Sequence, residues 1–169
     1  MTDHSESTFL EFILYNNWAN QQVLQACRNL SEEQLAVMIP GAYGTIHATL
    51  RHMIKAEARY LRLLTGNSPQ PLFNWEDLPP LEELTAYAAQ VGAALVDMAQ
   101  RILPTDQVAE EYDGKLFHYQ ALAVFIQIIN HGIEHRTNIT TILNQGMQTP
   151  PEVDGWAYLN AFPGRFALE

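Results

Sequence analysis

Apolar residues recur at helical spacing in four long stretches of this chain, separated by short segments rich in proline and glycine. The first stretch spans Ser7 to Asn29, with Phe9, Ile13, Leu14, Trp18, Val23 and Leu24 near helical period. Ser31 followed by Gln34 reads as a capping box that opens a short helix, and Pro40-Gly41 breaks it. Thr45 is placed to cap a second long helix, which ends at Thr65-Gly66, where glycine can take the left-handed conformation of a helix stop. A proline-rich loop, Asn67 to Leu78, carries Phe73 and Trp75. Pro79-Pro80 then opens a third helix that stops at Leu103-Pro104. Asp113-Gly114, between Val108–Tyr112 and Lys115–His118, predicts a two-residue β-hairpin. The fourth long helix starts near Tyr119 and ends at Asn144, with Gly146 in the stop position. Pro150-Pro151 leads into a tail holding Trp156, Tyr158, Leu159 and Phe162, and so much aromatic surface predicts docking. No internal repeat or interdomain linker interrupts the pattern. The expected architecture is one domain over residues 1–169: an all-α four-helix bundle with a short β-hairpin before the last long helix and a docked C-terminal tail.

Two charges break the pattern. Glu57 falls in the middle of the second helix's apolar arc, with Leu50, Met53, Tyr60, Leu61 and Leu64. Arg136 falls near the middle of the fourth helix's arc, beside Phe125, Ile129 and Leu143. A lone buried charge costs several kcal/mol, on the order of what a whole domain has to spare, so each needs a partner. The expectation is that they are buried and pair with each other.

Composition narrows the function. With 9 basic and 19 acidic residues the net charge is -10, a field that repels nucleic acid and anionic lipid. The longest apolar run, near Ala121–Ile126, stops at Gln127, far short of a membrane span. Cys27 is the sole cysteine, so no internal disulfide forms. The opening residues lack the basic patch of a signal peptide. Together these point to the cytoplasm, with no nucleic-acid or membrane partner.

The candidate chemistry lies in three histidines. His131 and His135 are four apart on one helix and therefore share a face. They fall on an arc with Val124, Ile128, Ile139 and Ile142, at the edge of the buried side. His52, on the second long helix, shares a stripe with Ala48, Ala56 and Leu63. A buried imidazole needs partners for its nitrogens, and a shared divalent ion supplies three at once. Three protein ligands leave coordination positions open for water or substrate. His4, His47 and His118 are weaker candidates: a terminus, a position five residues from His52 that points elsewhere, and a hairpin end.

Two other metal motifs fit the chain less well. His131-Gly132-Ile133-Glu134-His135 matches the H-x-x-E-H signature of inverted zinc proteases. That chemistry needs an inward glutamate, whereas Glu134 falls opposite Phe125 and should face solvent. A di-iron bundle needs Glu-x-x-His, and no glutamate lies three residues before His52, His131 or His135.

Taken in order, Tyr15-Asn16-Asn17-Trp18-Ala19-Asn20, the segment from Gly44 to His52, Ile129-Asn130-His131-Gly132-Ile133-Glu134-His135-Arg136 and the Pro150-Pro151 tail resemble the DinB/YfiT-like metalloproteins over nearly the whole chain. The resemblance implies a four-helix bundle holding one divalent metal, nickel or zinc, on His52, His131 and His135, and commonly a homodimer. It implies a metal-dependent transferase that joins a low-molecular-weight thiol to a small electrophile. A metal-dependent hydrolase and a non-catalytic metal-binding stress-response protein are the alternatives. The name DinB is shared with an unrelated DNA polymerase, an activity to which the acidic charge gives no support. Catalytic residues beyond the metal ligands are not identified from sequence.

Overall fold

The computed structural model describes residues 4–145 and 148–166. Helix α1 runs His4–Cys27, the short α2 Glu32–Leu35, α3 Ile46–Thr65 and α4 Leu81–Ala99. Strands β1, Gln107–Tyr112, and β2, Lys115–Gln120, precede α5, Ala121–Asn144. Two short helices, α6 at Gly155–Ala161 and α7 at Pro163–Phe166, follow. The four long helices form a bundle in the cyclic order α1, α4, α3, α5, each packed on its two neighbours.

The element ends follow the local chemistry closely. The Ser31 hydroxyl accepts from the Gln34 amide and the Gln34 side chain accepts from the Ser31 amide, which completes the capping box. Thr45 caps α3 through the Ala48 amide, and Gly66 closes it at φ 78°. Asp113 and Gly114 both take positive φ, 51° and 69°, as a tight hairpin turn with the strands' right-handed twist requires. The antiparallel register pairs Tyr112 with Lys115 and Gln107 with Gln120. β2 therefore runs two residues further than the alternation implied, and α5 starts at Ala121, whose amide is tied to the Asp106 carbonyl at 2.8 Å. Helix α4 ends at Ala99, short of the expected Leu103, because the Arg101 and Ile102 amides both turn back onto the Met98 carbonyl. The expected stop at Gly146 lies outside the described residues.

The tail docks, but not through every aromatic. Tyr158 is buried against Tyr15 and Trp18, with ring centroids 5.6 and 5.3 Å away, and its hydroxyl donates to Glu11 at 2.8 Å. The Tyr15 hydroxyl donates to the Val153 carbonyl at 2.9 Å. Trp156, by contrast, is 76% exposed.

The core holds Leu50, Met53, Ile54, Leu84, Val91, Leu95, Ile128, Ile139 and their neighbours at near-zero exposure. Burying an apolar side chain of this size stabilises by about 1.5–3 kcal/mol. Glu57 and Arg136 sit inside this core at 3% and 2% exposure, as their positions in the apolar arcs predict. The expected direct ion pair is corrected: two asparagines of α1 stand between them. Asn16 and Asn20 each donate from Nδ2 to Glu57 Oε1 at 2.7 Å. Each also accepts from Arg136 Nη1, at 2.7 and 2.6 Å. A carboxylate can only accept and a guanidinium can only donate, whereas an amide does both, so the two amides serve Glu57 Oε1 and Arg136 Nη1 at once, while Arg136 Nη2 is buried with no hydrogen-bond partner among the described residues. Burial pushes the Glu57 carboxyl up, and the two amides and the Arg136 charge oppose that rise. The guanidinium carbon of Arg136 also lies 5.7 Å from the Tyr15 ring centre.

Gly132 makes room for this ring of side chains. A Cβ there would stand 2.4 Å from Asn16 Oδ1 and 2.6 Å from Arg136 Nη1. Gly92 plays the same part between α4 and α1, where a Cβ would meet Asn17 Oδ1 at 2.1 Å.

Two outcomes are expected in urea unfolding. Glu57→Gln or Arg136→Met alone should cost about 3–5 kcal/mol, because the other charge stays buried. The double variant should cost clearly less than the sum, and that coupling should shrink when Asn16 and Asn20 are both alanine; additive single effects would rule out an energetically connected ring. Gly132→Ala should destabilise by about 1–3 kcal/mol as an overpacked site, measured the same way.

Candidate metal centre

Helices α3 and α5 are neighbours, and they bring His52 to the His131–His135 pair. His131 Nε2 lies 3.0 Å from His52 Nε2 and 3.1 Å from His135 Nε2. One ligand atom from each ring falls within 4.8 Å of the others. His131 and His135 are buried, at 8% and 3% exposure, while His52 is half-buried and faces outward. The sequence expectation that these three come together is therefore met by the geometry. The lesser candidates lie elsewhere. His47 turns its Nε2 to the Pro79 carbonyl at 2.7 Å, His118 is exposed on β2, and the side chain of His4 lies outside the described residues.

Burial, with the neighbouring His135 and His52, pulls His131 down to about 4. His52 and His135 are also lowered, mainly by burial. Each shift favours the neutral ring, the form in which imidazole is a ligand. Three neutral imidazoles closing on one point are poorly satisfied by each other. Each has one proton for two nitrogens, and Nδ1 of both His131 and His135 is buried without a hydrogen-bond partner among the described residues. A cation takes all three Nε2 lone pairs together. Two nitrogens on one tetrahedral zinc, each about 2.0–2.1 Å from it, stand about 3.3–3.4 Å apart, close to the separations seen here. The three histidines can therefore hold a metal ion with little rearrangement.

Tyr43 completes the surroundings. Its ring stacks on His52 at 4.2 Å and meets His135 edge-on at 5.0 Å. Its hydroxyl lies 2.9 Å from His52 Nδ1. With the proton on Nδ1, His52 donates to that hydroxyl and presents the Nε2 lone pair to the cluster, the usual way an outer partner fixes a ligand's tautomer. The loop carrying Tyr43 is tied to α5 by its own amide, which donates to Asn138 Oδ1 at 3.0 Å. Sequence reasoning missed Tyr43; the available signal was an aromatic beside Gly44, nine residues before His52. It also missed Asn16 and Asn20, although their four-residue spacing on the apolar arc of α1, with Ile13 and Leu24, marks them as buried polar groups.

Glu134 is exposed, as its position opposite the apolar arc implies. Its charge still raises the affinity of His52 and His135 for protons, which places it at the rim of the cluster. Cys27 is fully buried, and burial pushes its thiol up to about 12. The chain's one thiol is inert at neutral pH.

Comparison with known proteins agrees with this architecture. The sequence profile of the DinB family matches residues 1–164. Protein DinB of Bacillus subtilis is 20% identical over 155 residues, spanning 86% of this chain and 90% of that protein. The crystal structure of a DinB-like protein from Bacillus cereus superposes with a TM-score of 0.66 at 20% identity, covering 86% of this chain and 95% of the other. At that identity the structural likeness speaks for the fold, while the profile spans nearly every residue that builds the bundle and all three histidines: the chain belongs to the DinB family.

Proposed function

We propose that His52, His131 and His135 bind one divalent ion, zinc or nickel, and that the protein is a metal-dependent transferase joining a low-molecular-weight thiol to a small electrophile. The observation that carries this reading is the convergence of three imidazoles, with His131 Nε2 3.0 Å from His52 Nε2 and 3.1 Å from His135 Nε2. His52, His131 and His135 would hold the ion, which would supply a lowered pKa to a thiol bound beside it and so a nucleophile at neutral pH. In the transfer the thiol's proton would pass to solvent, the sulfur would bond to the electrophilic carbon, and that carbon's leaving group would depart with the bond electrons. The protein's own groups bind and orient. Tyr43 would accept from His52 Nδ1 and so leave its Nε2 to the ion, and the buried ring around Glu57 and Arg136 ties the two ligand-bearing helices at one relative height. A cavity of about 550 Å³ adjoins His52 and supplies space for a small substrate, which favours an enzyme over a sealed metal store. The exposed position of Glu134 argues against the inverted-protease mechanism. We further propose a cytoplasmic homodimer formed through the α1–α5 face, where Phe12 and Ile126 are 51% and 53% exposed beside Phe9 and Ile129.

Four measurements follow from this. Elemental analysis of protein from its native host should find one divalent ion per chain. Alanine at His52, His131 or His135 should weaken binding by more than about 100-fold in competition titrations, beyond the about 10–100-fold typical of losing an outer partner, the range expected for Tyr43→Phe. Glu134→Gln should leave metal content and conjugation of thiols nearly unchanged; a large loss of rate with metal retained would revive the hydrolase alternative. Replacing Phe12 and Ile126 by glutamate should convert a dimer to monomer in sedimentation, with the helical signal intact.

A further inference from the structure

The chain carries 9 lysines and arginines against 19 acids, yet four of the nine lie on α3: Arg51, Lys55, Arg59 and Arg62. Their spacing of four, four and three residues sets them along one stripe of the helix. The sole acid on α3, Glu57, is buried on the opposite side. Lys55, Arg59 and Arg62 are exposed and line the cavity of about 550 Å³ that His52 borders. Its far wall is the loop from Ser68 to Trp75, backed by Tyr87. That wall is pinned. Arg51 Nη1 donates to the carbonyls of Trp75 and Asp77 at 3.2 and 3.0 Å, and the Tyr87 hydroxyl donates to the Pro69 carbonyl at 2.9 Å.

A basic helix face usually serves only to solvate the protein, but two features separate this one from that. Arg59 pairs with Glu110 of β1, whereas neither Lys55 nor Arg62 has a carboxylate partner among the described residues. Lys55 Nζ instead stands 5.8 Å from the Trp75 ring, over an apolar wall. The face is concave, and a cationic cleft with low-dielectric walls focuses its field on a small anion even where the net charge is strongly negative.

We propose that this cleft binds the anionic part, a carboxylate or phosphate, of a small molecule whose other end reaches His52. Lys55 and Arg62 are its charge partners and Trp75 its apolar platform. The inference deepens the proposed metal-dependent transferase by naming the substrate class, and it rests on that reading only for the position of the reactive end.

The test uses the full chain, zinc-free and zinc-loaded, titrated with succinate, inorganic phosphate and the neutral control succinamide. The Trp75 indole and the Ser68 and Gln70 amides are followed by NMR. Succinate or phosphate should give saturable shifts at these positions in both forms, succinamide none, and the tighter of the two anions identifies the group recognised. Lys55→Gln combined with Arg62→Gln should weaken binding at least tenfold while leaving zinc affinity unchanged; both side chains are exposed, so the fold tolerates the change. Absence of saturable shifts, or equal affinity in the double variant, would overturn the proposal. Because the zinc-free arm reads the cleft alone, failure of zinc to bind would sink the metal-centre reading and leave the cleft standing.

Discussion

The ring formed by Asn16, Asn20, Glu57 and Arg136 is the constraint on which the geometry of this molecule depends. A carboxylate and a guanidinium placed in a hydrophobic core must both be satisfied, and each can make only one kind of hydrogen bond. Amide groups one helical turn apart on α1 answer one oxygen of the carboxylate and one nitrogen of the guanidinium, so α1, α3 and α5 are tied at one relative height by four bonds of 2.6–2.7 Å. A one-turn slip of any of the three helices would strand a buried charge. The histidine cluster inherits that register, since His135 precedes Arg136 directly and His52 lies five residues before Glu57. Gly132, between the two α5 histidines, is the gap through which Asn16 and Arg136 meet, so the residues around the cluster and those of the ring occupy the same turn.

Electrostatics divides the molecule in the same economical way. Burial keeps the three imidazoles neutral, which leaves their lone pairs free to face each other without three like charges. The neighbouring face of α3 then carries nearly half of all the chain's cations, on a protein whose net charge is -10. These features meet at His52, the one ring of the cluster that is only half-buried and that also borders the cationic cleft.

What was legible in the sequence was local or periodic. Thr45, Gly66 and the Ser31–Gln34 box mark helix ends because capping is a contact between near neighbours, and Asp113-Gly114 marks a turn because few residues accept positive φ twice running. His131 and His135 were readable because four residues make about one turn. The bridging role of Asn16 and Asn20 was not, since it depends on two side chains 37 to 120 positions away; the apolar arcs show that Glu57 and Arg136 are buried but not what lies between them. Tyr43 escaped for the same reason, as a loop residue whose ring position is set by Asn138 on α5. The docked tail was readable in outline, but which aromatic docks is decided by the shape of α1, and Tyr158 fits between Tyr15 and Trp18 while Trp156 does not.

The inventory of groups near the histidines limits how any reaction there can run. The chain's own thiol is sealed in the core and held near 12, so it cannot attack. The Glu134 carboxylate is exposed, and Glu57 is committed to two amides in the interior. Tyr43 spends its hydroxyl on His52. Of these groups none is free to serve as an inward base of the kind a hydrolytic water requires, and His52, only half-buried, borders the cleft on α3. What the protein itself contributes is a close set of three imidazoles beside a cleft lined by Lys55, Arg59 and Arg62.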